Sequence, residues 1–221
     1  MTMDAGLSHE RTPAQAWAAM ERGNRRFVSG EPGHPRQDVE RREQLVGRQT
    51  PHAALFGCSD SRLAAEIIFD RGLGDLFVVR NAGQIISDSV IGSLEYAVAV
   101  LHVPLIVVLG HDECGAVRAA IDAQAPEAVA LPPHIHQLIQ KIIPAVKRVS
   151  ARAESAGGDG AANAPDSTEV GREHLRDTVA ELLDTSELIS DAIAAGTLAI
   201  VGANYRLLEG TAVPDIIVGA V

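Results

Sequence analysis

The chain has 221 residues, 46% of them hydrophobic and 22% charged, with a formal net charge of −10. That length suits one well-filled domain with appendages, and the acidic balance argues against a nucleic-acid groove or an anionic membrane surface as partner. There are two cysteines, the first eleven residues lack a basic-then-apolar leader, and no run approaches about 18 apolar residues. The chain therefore reads as cytoplasmic, where a structural disulfide is not expected.

The first helix is announced by Thr12 as N-cap, Pro13 at the first helical position and Gln15 closing a capping box. Trp17, Met20 and Phe27 follow at helical spacing, and the Gly- and Pro-rich stretch Ser29–Arg36 ends the element. Residues 1–36 are thus expected to form a helical arm packed outward, over a partner subunit, ahead of a single α/β domain over 37–221. From His52 the chain alternates. His52–Gly57 reads as a strand, Ala64–Asp70 as helical, and Leu76–Arg80 as a second strand. Ser87 or Asp88 caps a helix through Leu101, with Val90, Ile91, Leu94, Ala97, Val98 and Leu101 on one face. Leu105–Leu109 is a third strand, and helices are expected over Gly115–Ala123 and, after Pro132–Pro133, over His134–Arg152. Ser155–Asp166, rich in Gly, Ala and Ser, reads as a flexible insertion. Gly171–Ala195 returns to helical spacing and stops at Gly196. Leu198–Val201 opens a fourth strand, and Glu209–Gly210 marks a turn in a terminal hairpin.

Strands separated by helices imply right-handed crossovers and a mostly parallel sheet flanked by helices. In such sheets ligands gather beyond the carboxyl ends of the strands, where the winding direction reverses. Cys58 lies just past the first strand and His111 just past the third. A strand order beginning 2-1-3 is the arrangement that brings them into one crevice.

Two short segments carry the chemistry. Cys58-Ser59-Asp60-Ser61-Arg62 sets a thiol, a carboxylate and a guanidinium within five residues, and His111-Asp112-Glu113-Cys114 gives His-x-x-Cys at a strand-to-helix turn. Thiolate and imidazole are preferred zinc ligands, and three of them leave the fourth tetrahedral position open, as a catalytic site requires. Zinc with two thiolates and a neutral imidazole carries roughly zero net charge, so its bound water is acidified less than at a three-histidine site. A nearby acceptor then becomes useful. Asp60 is that candidate, and Arg62 is spaced to restrain it by a bidentate contact. Unrestrained, Asp60 could occupy the fourth position itself and close the site.

Cys-x-Asp-x-Arg followed by His-x-x-Cys on this framework closely resembles the β-class carbonic anhydrases, bacterial members above all. The likeness runs from about Trp17 to the terminal strand and includes Gly72–Asn81 and the helix containing Glu95-Tyr96-Ala97. It implies one zinc ion per subunit on Cys58, His111 and Cys114, with Asp60 and Arg62 as a catalytic dyad. The implied reaction is reversible hydration of carbon dioxide to bicarbonate and a proton by zinc-bound hydroxide. Gln49 falls where relatives carry a substrate-binding glutamine, and Phe77 and Tyr96 where they wall an apolar pocket, partly across a dimer interface. A homodimer or a dimer of dimers is implied with them. Departures exist. Leu55 stands where some relatives place a tryptophan of an inhibitory bicarbonate site, although Arg80 matches another residue of it, and Ala82-Gly83-Gln84 differs from the Ala-Asn of many relatives.

Plainer readings compete. The cysteines could be inert buried thiols, and Asp60–Arg62 a loop salt bridge of little worth. His134 and His136, near a helix start, read as solvated surface rather than a metal pair or proton shuttle. Two other functions share this text: hydrolysis of carbon disulfide or carbonyl sulfide on the same scaffold, and a non-catalytic zinc-binding or disulfide-bonded interaction protein.

Overall fold

Uninterrupted apolar strands are stable only between two layers of helix. The computed structural model, which describes residues 12–155 and 164–221, places them there. In chain order the elements are α1 (Pro13–Val28), α2 (Val39–Gln44), β1 (Ala53–Cys58), α3 (Ala65–Ile68), β2 (Leu76–Asn81), α4 (Asp88–Ala99) and β3 (Leu105–His111). There follow α5 (Gly115–Asp122), α6 (Pro133–Gln140), α7 (Ile143–Ser155), α8 (Ser167–Thr185), α9 (Glu187–Ala194), β4 (Ala199–Arg206) and β5 (Thr211–Val218). The sheet order is β2-β1-β3-β4-β5, parallel throughout except for β5, which runs antiparallel to β4 as the expected hairpin.

Side chains alternate across the sheet with period two, and the two cores follow that alternation. Ala53, Leu55, Leu105, Val107, Leu109, Ala199 and Val201 enter one core with α1, α5, α6 and α7. Ala54, Phe56, Ile106, Val108 and Ile200 enter the other with α4, α8 and α9. Every residue of β1 and β3 is buried, whereas β2, at the sheet edge, is mostly half-buried. β1 pairs with β2 on one side and β3 on the other, so the winding reverses between β1 and β3.

The capping box predicted for α1 is present, with Thr12 and Gln15 exchanging side chain-to-backbone hydrogen bonds of 3.1 and 3.2 Å. Its apolar face, however, packs within its own chain rather than outward: Ala16, Trp17 and Met20 are core residues. Gly23 permits the close approach, since a Cβ there would stand 1.8 Å from the carbonyl oxygen of Phe69. Buried Asn24 then donates to the carbonyls of Ile68 and Gly210 and accepts from the Ala212 N–H. The loop after α1 is pinned by two buried carboxylates. Asp70 accepts from Arg26 and from the N–H groups of Gly33 and His34. Asp75, with no exposed side chain, binds Arg36 and the Gly72 N–H.

Some elements differ from expectation. The helix expected over His134–Arg152 is two, α6 and α7, because Pro144 lacks an N–H and its ring would press on the carbonyl four residues back. The helix expected over Gly171–Ala195 begins earlier and breaks at Ser186, whose hydroxyl donates to Glu95 (2.6 Å) and caps α9 by accepting from the Ile189 N–H. The short helix α2 was not expected; it buries none of its residues and so shows no apolar face to read. β4 continues from the expected start through Arg206. Of the expected insertion Ser155–Asp166, residues 156–163 lie outside the described residues, while Asp166 caps α8 by accepting from the Thr168 N–H.

Candidate active site

The crevice between the carboxyl ends of β1 and β3 is where this topology exposes loops from two diverging crossovers. Cys58 is the last residue of β1 and His111 the last of β3. Cys114 is the N-cap residue of α5, three positions on, and the turn is made by Glu113 in the left-handed region at φ 50°. All three are buried, and a ligand atom from each lies within 4.8 Å of the other two. Both cysteines are free thiols, so no disulfide closes the group.

The histidine is oriented for ligation. Its Nδ1 lies 2.7 Å from the carbonyl oxygen of Asp112, an acceptor, so Nδ1 carries the proton and Nε2 the lone pair. Nε2 is buried without a hydrogen-bond partner among the described residues. An unsatisfied buried acceptor beside two thiols is costly as bare protein and fits a site for a metal that accepts one nitrogen and two sulfurs. The thiols lean the same way. A hydrogen bond from Cys114 outweighs the opposing effect of burial and brings Cys58 down to about 4, with the Gly83 N–H assisting. The same bond, with burial, pushes Cys114 up. The surroundings thus favour a thiolate at Cys58 over one at Cys114, and the Gly83 N–H meets the Cys58 Sγ at 3.3 Å.

Asp60 stands two residues beyond Cys58, its carboxylate gripped by Arg62 through Nε (2.9 Å) and Nη2 (2.7 Å), with the Arg62 backbone N–H adding a third contact at 2.9 Å. Arg62 also donates to the carbonyl of Glu113, tying the Cys-x-Asp-x-Arg loop to the His-x-x-Cys turn. The guanidinium holds the Asp60 carboxyl well below the usual carboxylate range. Asp60 is therefore ionised and turned to Arg62, outside the three-residue cluster.

Three further residues hold the site in ways the sequence reading did not assign to them. Arg80, next to Cys58 across the β1–β2 ladder, donates to the carbonyls of Cys58 (2.8 Å) and Asp60 (2.6 Å), fixing the backbone of the first motif. The parallel register, in which Gly57 faces Arg80, was the signal that could have found it. Gly83 sits at φ 80°, where a Cβ would stand 2.8 Å from that of Ala116 in α5. Asp112 accepts from the Leu207 N–H and anchors the turn to the end of β4.

The expected substrate residues lie elsewhere in the same chain. Gln49 is on exposed coil before β1, whose six residues span roughly 17 Å, so it sits at the opposite end of the strand from Cys58. Phe77 pairs in register with Ala54, not with Cys58, and stacks tilted on Tyr96 at 6.1 Å between centroids. Leu55 is a core residue of β1. His134 and His136 are exposed on α6, as read from the sequence.

Fold and cluster together are those of an α/β metalloenzyme with its site at a topological switch point. Residues 53–212 match the family model described as Carbonic anhydrase. Carbonic anhydrase 2 of Mycobacterium tuberculosis is 48% identical over 201 residues, 91% of this chain and 92% of that protein. The solved β-carbonic anhydrase CcaA superposes with a TM-score of 0.66 at 26% identity, covering 90% of this chain and 97% of that one. One of two tetrameric β-carbonic anhydrases from Sordaria macrospora shares the fold at a TM-score of 0.66 and 22% identity, covering 91% and 92% of the two chains. The chain belongs to the carbonic anhydrase family, in its β class. It is a carbonate dehydratase, a lyase.

Proposed function

We propose that Cys58, His111 and Cys114 hold one zinc ion and that Asp60, restrained by Arg62, serves beside it in the reversible hydration of carbon dioxide. The observation that carries this reading is the unpartnered Nε2 of His111 within 4.8 Å of two thiol sulfurs. Zinc in such a site would supply a Lewis acid and lower the pKa of a bound water below that of bulk water. The protein does the rest. Ionised Asp60 can only accept hydrogen bonds, so it orients the proton of the attacking oxygen, and Arg62 keeps the carboxylate out of the position that oxygen needs. Arg80 fixes the carbonyls of Cys58 and Asp60, holding ligand and acceptor at one spacing. The Gly83 N–H draws charge from the Cys58 thiolate and so leaves the metal more electrophilic.

Gln49, Phe77 and Tyr96 serve substrate in a second copy of the chain. Supporting this, Gln49 lies at the strand end remote from its own cluster, and the Phe77–Tyr96 pair lies on edge strand β2 and on α4, where Tyr96 and Val100, one turn apart, are about half exposed. A homodimer follows. The other edge, β5, exposes Ile217 and would extend it to a dimer of dimers; the Sordaria macrospora neighbours are tetrameric. Among the described residues no helix is long and apolar enough to cross a membrane; we read the chain as acting in the cytoplasm.

Zinc content and stopped-flow carbon dioxide hydration on the same samples test the reading. Wild type should hold one zinc per chain and hydrate carbon dioxide, and Cys114→Ser should lose both. Hydration that persists in metal-depleted Cys114→Ser protein would overturn it. Carbon disulfide and carbonyl sulfide, assayed in parallel, should turn over far more slowly.

A further inference from the structure

We propose that His174, on α8, is a positioning residue of the metal site, acting through Gly83 on the Cys58 sulfur. The inference rests on the assignment of Cys58 as a metal ligand. His174 is buried, at 3% exposure. Its Nε2 lies 2.7 Å from the carbonyl oxygen of Gly83, so Nε2 donates and the ring is the neutral tautomer with its lone pair on Nδ1. That Nδ1 has no hydrogen-bond partner among the described residues. An apolar residue at this position on α8 would spare the unpartnered Nδ1 but take the donor from the buried Gly83 carbonyl, so the imidazole is kept here for its bond to Gly83.

The chain of contacts supplies the reason. Gly83 stands between the elements that carry the two cysteines. Its N–H donates to Cys58 Sγ at the end of β1, and a Cβ at Gly83 would collide with Ala116 in the first turn of α5, which Cys114 caps. A glycine at φ 80° has a soft backbone. Its N–H points steadily at the sulfur only if something holds the other side of the residue, and His174 holds the carbonyl. The helix segment around His174 is itself fixed: the Thr178 hydroxyl bonds back to the His174 carbonyl at 2.8 Å. His174 thus sets the strength of one N–H···S bond, and through it the donor character of one ligand.

Cobalt(II)-substituted protein and zinc competition with a chromophoric chelator test this. His174→Leu fills the space without the donor. It should bind zinc about 10-fold more weakly, in the range found for lost outer partners of ligands, and its sulfur-to-cobalt charge-transfer band should move to lower energy as the sulfur loses its hydrogen bond. His174→Gln, which places an N–H donor where Nε2 lies, should restore both toward wild type. Should the leucine variant fail to fold, His174→Asn, polar but too short to reach Gly83, carries the same expectation. An unchanged cobalt spectrum in the leucine or asparagine variant, even with lowered thermal stability, would overturn the proposal and leave His174 a structural residue. So would a glutamine variant that behaves like leucine. Wild-type protein with no thiolate-to-cobalt band at all would instead sink the assignment of the metal ligands.

Discussion

At the scale of the residue, the pair Asp60–Arg62 bears most directly on the proposed reaction, because a free carboxylate two residues from Cys58 could take the fourth position on the proposed zinc. Both oxygens of Asp60 are engaged by Arg62. Arg62→Ala should release the carboxylate to bind metal, lowering kcat/KM for hydration at least about 100-fold, the usual scale for losing a positioned proton acceptor. Zinc K-edge absorption should show an added oxygen ligand at neutral pH; an unchanged coordination shell with lost activity would rule out the closure. Much of this was legible locally. The spacing Cys-x-Asp-x-Arg brings thiol, carboxylate and guanidinium together whatever the rest of the fold does, and His-x-x-Cys needs only one turn. The tie from Arg62 to the Glu113 carbonyl and the clamp by Arg80 were not legible, since both join segments that meet only across the sheet.

At the scale of the element, what holds α1 is specific rather than merely apolar. Asn24 satisfies a carbonyl of α3, a carbonyl of the β4–β5 turn and an N–H of β5. Asn24→Ala should destabilise the protein by roughly 2–3 kcal/mol, because it leaves buried backbone groups unpaired; the urea midpoint measures it, and a shift within error would contradict this account. Gly83→Ala should cost about 1–3 kcal/mol through the left-handed backbone and the clash with Ala116, read in metal-free protein so that ligation does not contribute. Strands and capped helices were foreseen because their signals are short-range: an apolar run, a Thr-Pro-x-Gln box, a proline. The breaks at Pro144 and Ser186 follow from equally local chemistry, yet the apolar spacing continues through both, and periodicity alone runs the helices together. α2 has no buried face and so gave no period.

At the scale of the whole molecule, the position of Gln49 makes a strong demand. If each site takes its zinc ligands from one chain and Gln49 from another, Gln49→Ala and Cys58→Ser variants, each impaired alone, should complement when refolded together. A mixed dimer then contains one intact site, and about half the dimers are mixed at equal ratio by random pairing. Activity of the mixture no greater than the mean of the two variants would show the sites to be independent. Stability should also respond to acid in a defined direction. Hydrogen bonds from Arg36 and the Gly72 N–H overcome the burial that would otherwise raise Asp75, and the equivalent bonds do so for Asp70, so both carboxyls titrate below their ordinary range. Unfolded Asp titrates near 3.9; the stabilisation is therefore complete above that pH and is lost as pH falls through the lower folded values. The denaturation midpoint should be nearly flat from pH 7 to 5 and decline below about pH 4. Asp75→Asn should flatten that decline while lowering stability at neutral pH, and an unaltered acid limb in this variant would exclude the pair as its source.

The amino-acid order by itself determined the chemistry on offer and the kind of element each segment forms, because ligand softness, side-chain period and capping depend only on near neighbours. It determined the three side chains that could hold a metal, the carboxylate near them and a mostly parallel sheet flanked by helices. Tertiary structure alone decided which ends of those elements meet. The crossovers that put β1 between β2 and β3 bring Cys58 against His111 and hang Gly83 between the cysteines with His174 behind it. The same sheet sets Gln49 and Phe77 toward the other end of its strands from the cluster of their own chain. The physical reason is that burying both faces of a strand fixes its direction and neighbours for the molecule as a whole, and no window of sequence contains that constraint.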